Sequence, residues 1–449
     1  MTPDGGRRGG ARCLALAAAS ALVLVLGTEP ARAAVGPTEC GTYSGTACAP
    51  VGTRVDLAEP RFSQPARITN PLFPIGRLRS AVLLGEADGE SFRAETTLLP
   101  GTVTVRWRGQ RIAALASQYL AWEGGRIKEA AVDLYAQADD GAVWYLGEDV
   151  IDYERGTASS TGGSWLAGRE GPPGMIMPGR PRVGDVYRPE NMPGVVFEEV
   201  TVTAVDRTVQ GPSGPVAGAI VIDELHLEGE HERKTLAPGY GEFVAGTAGD
   251  SEAVAVAAPT DALPGGPPPE LDDLAAGATA MVDAALGRDW RAAGEIARRS
   301  AAAWDALRGK RVPPLLSEQL AAAVAEQRRA TAARSSRRAA QAALDLRQSA
   351  LDLGLRYRPA ATIDRERFEL WCHRVRADAA RRDRAGVSGA VATLEWIRDR
   401  IAHTFRASDR AELDARLGAL RGAADGGRVA PAADHAARLV GWVRRAPGP

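Results

Sequence analysis

The spacing of hydrophobic positions changes once along the chain, across residues 259–269. Between residues 60 and 250 apolar side chains recur at every second position, as Val103, Val105 and Trp107 do. A period of two places alternate side chains on one face of a β-strand. From Glu270 onward the period is 3.6, which is typical of amphipathic helices. The sequence therefore predicts an α+β protein of two segregated domains, the first β-rich and the second all helical.

The clearest strand pair lies at residues 133–148, where Asp139, Asp140 and Gly141 supply a turn between two apolar runs. Glycine takes positive φ without strain, as such turns require. Alternation also recurs at residues 200–204 and 220–227. Because no helical spacer separates these runs, we predict an antiparallel sheet that is curved or barrel-like.

The second half shows regular helix breaks. They fall at residues 288–289, 310–314, 356–359, 382–383, 407–409 and 425–427. With the extra turns these breaks predict about eight helices in about four antiparallel hairpins. Asp289, Asp383 and Asp425 each precede a run that ends in Trp. We therefore predict that these aspartates cap helices in a loose internal repeat.

The linker between the halves is rich in proline and glycine, which block helix and sheet pairing and favour an extended spacer. Each half is long enough to bury a core of its own. The predicted organisation is a signal peptide at residues 1–33, a disulfide-looped segment at 34–60, an antiparallel β domain at 61–258, the linker at 259–269 and an α-helical hairpin bundle at 270–449.

The first residues resemble a secretory signal peptide. Arg7, Arg8 and Arg12 precede an apolar run at residues 13–27, and small residues flank Arg32 up to a cleavage site near Ala33. That run is shorter than the roughly 20 residues that cross a bilayer. The predicted location is secreted or extracytoplasmic, with no transmembrane segment.

Cysteine usage fits that location. Cys40 and Cys48 lie in a Gly/Thr/Ser-rich stretch, and in an oxidising compartment we expect them to form a disulfide loop. Two free thiols in a disordered tail are the alternative. Cys372 stands alone on a predicted helix, where a small buried hydrophobic side chain is the expected role.

Net charge is −1 for the whole chain, but the two halves differ. Residues 34–260 carry 19 Lys and Arg against 30 Asp and Glu, and residues 261–449 carry 32 against 24. The halves could therefore dock on each other, or the basic half could face an anionic envelope polymer or nucleic acid. Ordinary solvated surfaces are the third interpretation. No motif indicates sequence-specific nucleic-acid binding.

Five segments of the β half follow one another in a recognisable order. They are residues 68–75, 133–148, 164–165, 176–187 and 236–243. In the order of these motifs the chain resembles a family of secreted bacterial β-rich proteins of unknown function, over about residues 65–246. That resemblance implies a β fold and secretion but no activity. Gly239, Tyr240 and Gly241 stand where the family commonly has Gly-Val-Gly. The helical half shows no recognised resemblance.

Candidate chemistry is sparse. The chain has no nucleophile elbow, phosphate loop, dinucleotide fingerprint or His-Glu-x-x-His motif. On a strand, Glu224, His226 and Glu228 would share one face and could hold a divalent metal. A solvated face near a sheet edge is the alternative. The concave face of a curved sheet could instead hold a small apolar ligand, unless side chains fill it.

A second metal hypothesis concerns the helical half. Glu369 and His373 are four residues apart, and so are Asp399 and His403, a spacing that places each pair on one helix face. Two separate surface pairs are the alternative. The function predicted first is a secreted non-catalytic binding or accessory protein of the cell envelope. The alternatives are a metal-assisted hydrolase that uses the Glu224 face, and an envelope metal carrier that uses the helical pairs.

Overall fold

The computed structural model describes residues 40, 43, 48–192, 194–246 and 250–446. The predicted signal peptide and its cleavage site lie outside these residues. Strands and helices occupy separate parts of the chain. The strands are β1 (Ser80–Ala87), β2 (Glu90–Leu98), β3 (Val103–Trp107), β4 (Gln110–Glu123), β5 (Arg126–Gln137), β6 (Val143–Glu154), β7 (Thr157–Ser160), β8 (Trp165–Leu166), β9 (Gly174–Met177), β10 (Val186–Met192), β11 (Val196–Gly211), β12 (Gly214–His226), β13 (His231–Ala237), β14 (Gly241–Gly246) and β15 (Ser251–Ala258).

The strands form one antiparallel sheet, as the alternation predicted. Its order is β10-β11-β12-β13-β14-β15-β1-β2-β4-β5-β6-β7, with β3 beside β4 and with β8 and β9 beside β6. The predicted hairpin is the β5–β6 pair, and Gly141 in its turn has φ +88°. Strands far apart in this order line the same cavity, so the sheet curves round on itself. It stays unclosed, because no ladder among the described strands joins β9 to β10.

The helical half consists of eight helices within the described residues, which confirms the predicted fold class. They are α1 (Pro269–Leu286), α2 (Trp290–Leu307), α3 (Pro314–Ala332), α4 (Ser336–Gly354), α5 (Ala360–Ala380), α6 (Arg384–Ile401), α7 (Ala407–Asp425) and α8 (Val429–Arg445). Consecutive helices pack against each other, and α1 also packs against α4 and α5 against α8.

Two of the predicted helix caps are present. Asp289 and Asp383 cap α2 and α6 by accepting from backbone N–H groups at 2.9 Å. The same prediction is wrong for Asp425, which is the last residue of α7.

The helices pack on the outer face of the middle strands, including β1, β15, β4 and β5, and the two halves share apolar clusters there. Val82 on β1 packs in one cluster with Leu271 and Leu274 of α1. Trp122 on β4 packs in another with α5 and α6, stacked on Trp371 at 5.7 Å between ring centroids. These contacts remove apolar surface of both halves from water. The two halves therefore share apolar surface at this interface, in addition to the apolar clusters that the β half buries among its own strands.

A buried ion network joins the same two faces. The carboxylate of Glu95 on β2 lies 2.5 Å from Arg93 and 2.5 Å from Arg400, and 3.3 Å from Arg367. Arg367 also pairs with Asp352 at 2.8 Å, and both side chains are completely buried. Both halves contribute acidic and basic groups to this network. Positive and negative charges therefore balance within the network, which does not neutralise the remaining negative charge of the β half.

The linker is anchored rather than free. Asp261 within it is 2% exposed. Its carboxylate accepts from the Tyr240 hydroxyl and from the Ala257 backbone N–H, each at 2.8 Å. Arg356, which follows α4, donates to the Asp261 carbonyl at 3.0 Å. These bonds tie the linker to the sheet on one side and to the helices on the other.

The predicted disulfide is present between Cys40 and Cys48. Both cysteines pack against a small apolar cluster of Tyr43, Phe197 and Leu225 on the outer face of β11 and β12. Cys372 is buried in α5, as expected, and burial raises the pKa of its thiol. Among the described residues, none of the helices is both long and apolar enough to span a membrane.

Candidate functional site

The curved sheet encloses a cavity of about 430 Å³ on its inner face. One wall is apolar and includes Phe92, Tyr119 and Ala121 from β2 and β4. The opposite wall comes from β11 to β15 and is acidic. Its carboxyl groups are Glu198, Glu230, Glu232, Glu242, Asp250 and Glu252, and Glu86, Asp88 and Glu129 add to them from the first strands. The basic side chains in the described lining are Lys234 and His226.

The β12–β13 hairpin builds the inner wall. Gly229 in its turn has φ +84°, a conformation that glycine adopts without strain. The turn sets a register in which Glu224 lies directly opposite Glu232. Since side chains alternate along a strand, His226 and Lys234 project to the same inner face as this pair. The four residues are consequently gathered from two neighbouring strands.

Their distances define a compact charged group. Lys234 Nζ lies 2.6 Å from Glu224 Oε2 and 3.3 Å from Glu232 Oε2. His226 Nε2 lies 3.6 Å from Glu232 Oε2 and 3.9 Å from Glu224 Oε2. One ligand atom from each of Glu224, His226 and Glu232 can be chosen so that all three lie within 4.8 Å of one another. This is the one group within the described residues with the composition and spacing of a metal-ligand set.

The electrostatics of the cavity wall divide into two parts. Near Lys234, burial disfavours the charged form of Glu232, but Lys234 and His226 outweigh it and lower the pKa of Glu232 to about 2. Farther out, burial and the neighbouring Glu242 raise the pKa of Glu252 to about 9. Glu242 and Glu252 contact each other, so the pair retains a proton at neutral pH. The wall therefore holds negative charge that Lys234 does not neutralise.

A second group of carboxyls lies deeper inside the sheet. Burial, and then the neighbouring Asp133, raise the pKa of Glu148 to about 8. The Tyr145 hydroxyl is 2.8 Å from Asp133 and 3.1 Å from Glu148. The Trp165 indole donates to Glu190 at 2.5 Å. Many carboxyl groups of the β half thus gather on the inner face, and burial keeps some of them, such as Glu148, protonated at neutral pH.

The structure brings together two of the three residues in the predicted set Glu224, His226 and Glu228. Glu224 and His226 are together on β12, but that strand ends at His226, so Glu228 lies in the exposed turn beyond it. The third carboxylate is Glu232, which the strand alternation did not reveal because it comes from the next strand. The glycine at position 229 was the available signal, since a turn there folds Glu232 back onto Glu224.

The helical candidates do not meet. Glu369 and His373 are buried on α5, which corrects the expectation of a surface pair. Arg444 donates to Glu369 at 3.0 Å, and Arg347 lies 3.3 Å away. Burial would raise the pKa of Glu369, but His373 and these arginines outweigh it and lower the pKa to about 2. The carboxylate is thus committed to cationic side chains.

Asp399 and His403 lie elsewhere. Asp399 is exposed at the end of α6 and pairs with Arg398 at 2.8 Å. His403 is in the short 3₁₀ turn that follows α6. Neither residue joins a metal-ligand group within the part of the chain that the structure describes.

Comparison with known proteins adds no family. No protein-family model matches the chain, and a search of curated proteins gives no match either. The resemblance drawn from motif order stays a prediction. What the fold and the site define is a class of architecture: a curved antiparallel sheet, backed by a helical bundle, that encloses an acidic cavity with one apolar wall.

Proposed function

We propose that this protein is a secreted, non-catalytic binding protein of the cell envelope that holds a small cationic ligand with an apolar body. The observation that carries the proposal is the asymmetric cavity, acidic on one side and lined by Phe92 and Tyr119 on the other. Ligand sites are typically concave and mostly apolar, with a few polar groups that fix orientation. Here the polar groups are carboxyls, so they select positive charge.

The raised pKa values support a cation rather than a neutral ligand. Glu252 faces Glu242, Glu232 and Lys234, and its proton offsets mutual repulsion among the carboxylates. An ammonium group that enters this wall can replace that proton as the compensating charge. Binding should therefore release protons and become tighter as pH rises towards the pKa of Glu252, about 9.

Secretion rests on two observations. The signal-like sequence precedes the described residues, and the Cys40–Cys48 disulfide is typical of oxidising compartments. The absence of catalytic motifs in the sequence favours binding over catalysis. The apolar ligand expected from the curved sheet is retained in part, as the apolar body that packs on Phe92 and Tyr119.

The test is a matched series of probes that differ only in charge: 2-phenylethylamine, 2-phenylethanol and phenylacetate. Titration calorimetry at pH 9 should show binding of the amine and at least tenfold weaker binding of the other two, since a charge-assisted hydrogen bond contributes about 1.5–3 kcal/mol. An alkylammonium group remains largely charged at this pH. Equal affinities for all three probes, or no binding of the amine, would contradict the proposal.

A variant pair locates the effect. Glu252→Gln should weaken amine binding about tenfold at pH 9 and remove the increase in affinity between pH 7 and 9. Glu154→Gln is the matched control, because Glu154 is an exposed carboxyl at the end of β6. It should leave both the affinity and its pH dependence unchanged.

A further inference from the structure

We infer that Glu224, His226 and Glu232 form a binding site for a divalent first-row transition metal on the inner wall of the cavity. A metal bound by carboxylate oxygen and imidazole nitrogen at about 2.0–2.2 Å places neighbouring ligand atoms roughly 3–3.5 Å apart. His226 Nε2 is already 3.6 Å from Glu232 Oε2 and 3.9 Å from Glu224 Oε2. Small side-chain rotations bring the three atoms to ligating distance.

The state of His226 points to a ligand independently of the carboxylates. The residue is 5% exposed, and its Nε2 makes no hydrogen bond of normal length within the described chain, because Glu232 Oε2 at 3.6 Å and Glu224 Oε2 at 3.9 Å are both too far. A buried ring nitrogen without a partner is uncommon, because its desolvation is uncompensated. This nitrogen faces the two carboxylates, where a metal ion would supply the missing interaction.

The other side of the ring is also arranged as in metal sites. His226 Nδ1 lies 3.6 Å from Glu198 Oε1 on the adjacent strand β11. Histidines that bind metals usually donate their second ring N–H to a carboxylate, which fixes the ring and increases its basicity. Glu198 is placed to accept that bond after a small movement.

Lys234 is the competing cation. Its ammonium group lies against Glu224 and Glu232, the same oxygens that a metal would use. Glu242 Oε2 is 3.8 Å from Lys234 Nζ and offers the flexible side chain a second partner. Metal binding then moves the ammonium group towards Glu242, and a divalent ion takes its place between the two carboxylates.

The donor set selects the kind of metal. Imidazole nitrogen is a good ligand for Zn²⁺ and its neighbours in the first transition row, whereas Ca²⁺ and Mg²⁺ take oxygen ligands. Three protein ligands leave a further coordination position. Because His226 and Glu232 line the cavity, that position is open to a cavity ligand or to water. This site goes beyond the proposed amine binding: it shares the acidic wall through Glu232, but its ligands do not include the Glu242–Glu252 pair.

The experiment is a titration of the purified protein with Zn²⁺ by calorimetry, and with Co²⁺ by visible absorption. We expect one equivalent of Zn²⁺ to bind and Ca²⁺ to bind at least tenfold more weakly. His226→Gln and Glu232→Gln should each weaken Zn²⁺ binding by at least tenfold. Glu198 would orient His226 and would not itself bind the metal, so Glu198→Gln should weaken Zn²⁺ binding roughly tenfold.

Two matched controls come from the same hairpin. His231→Gln removes a half-exposed histidine that pairs with Asp223 at 2.7 Å, and Glu228→Gln removes the exposed turn carboxylate. Both should retain wild-type affinity for Zn²⁺. If either control loses as much affinity as His226→Gln, or if His226→Gln binds normally, the site is wrong.

Two further measurements guard against variants that fold poorly. In the wild-type protein, Zn²⁺ should shift the ¹⁵N resonance of His226 Nε2, and an unchanged resonance would overturn the assignment. Lys234→Met should bind Zn²⁺ at least as tightly as wild type, because the competing ammonium group is gone. Glu252→Gln should keep Zn²⁺ binding while it loses amine binding, so failure of one site is distinguishable from failure of the other.

Discussion

At the scale of single residues, Glu95 is a buried carboxylate at the interface between sheet and helices. It is 1% exposed and is surrounded by the guanidinium groups of Arg93, Arg367 and Arg400. Burial would raise the pKa of Glu95, but these arginines outweigh it and lower the pKa far below its usual value. Removal of the carboxylate charge leaves buried positive charge without its main partner.

We therefore expect Glu95→Gln to lower the free energy of unfolding by about 3–5 kcal/mol, measured by urea denaturation. The matched control is Glu295→Gln on α2, where an exposed pair with Arg291 at 3.4 Å should contribute less than about 1 kcal/mol. Equal losses of unfolding free energy in the two variants would show that the charge of Glu95 does not stabilise the buried network.

The raised pKa values on the inner face make stability depend on pH. Burial is the main cause that raises the pKa of Asp133 to about 6, of Glu148 to about 8 and of Glu252 to about 9. Each group binds its proton more tightly in the folded state than in the unfolded chain. Its stabilisation is therefore complete below the unfolded pKa, near 4, and is lost as pH rises through the folded value.

In buffer free of metals and amines, the melting temperature should fall by a few degrees between pH 5 and pH 9, measured by scanning calorimetry. The melting temperature should also decrease as pH falls below about 4.5. Glu369, whose pKa is lowered to about 2, loses its ion pairs as it becomes protonated there. The double variant Glu148→Gln, Glu252→Gln should flatten the alkaline slope, and Glu154→Gln should not. A melting temperature that rises steadily to pH 9 would contradict this account.

The site illustrates what a sequence reveals at this scale. Alternation placed Glu224 and His226 on one face correctly, because the period of a strand is a local property. Glu232 was missed because its proximity depends on the length of a turn. The burial of Arg367 had no local signal, since an arginine on a helix looks the same whether solvent or a buried carboxylate faces it.

At the scale of elements, the helix starts provide an internal comparison. Asp289 and Asp383 each accept a backbone N–H at the start of a helix, whereas Asp425 ends one. Asp289→Ala and Asp383→Ala should each cost about 1 kcal/mol, and somewhat more at Asp383, which also pairs with Arg126 at 2.6 Å. Asp425→Ala should change stability by less than about 0.5 kcal/mol. Urea denaturation of the three variants measures this order, and a cost at Asp425 equal to the others would contradict it.

The breaks between helices were predictable because proline, glycine and aspartate act locally. Five of the predicted breaks are followed by a helix that begins within a few residues, as at Pro314 and Ala360. The break between α3 and α4 had no proline or glycine to mark it, and Arg334 there adopts φ +49°. The prediction for Asp425 failed because the repeat pattern gives only the spacing between the aspartates. It does not tell whether each aspartate ends one helix or precedes the next.

At the scale of the whole molecule, the charge imbalance between the halves has a different meaning from electrostatic docking. Nine of the described acidic side chains of the β half line the cavity, and the interface with the helices is apolar with balanced, buried ion pairs. A charge count along the chain could not separate these two surfaces, because it contains no information on which face of a strand each carboxylate occupies.

Salt should accordingly leave the molecule's dimensions unchanged. The Debye length falls from about 10 Å at 0.1 M to about 3 Å at 1 M, but buried pairs are screened little. We expect the radius of gyration from X-ray scattering to be the same at both salt concentrations, within error. A molecule that lengthens in 1 M salt would show that surface charge holds the halves together.

The middle of the sheet contains a seam, where β1 pairs with β15. Near that seam the Asp88 backbone N–H donates to Asp250, 162 residues further along the chain. The strands on either side, β1 to β7 and β10 to β15, pair largely as local hairpins, and local hairpins form quickly. A contact between residues so far apart along the chain forms more slowly, because the long loop between them must first lose conformational entropy. Cavity walls come from both sides of the seam. The cavity, and with it the proposed cation site, is therefore complete only after this non-local pairing has formed, so we expect ligand binding to appear late in the folding of the β half.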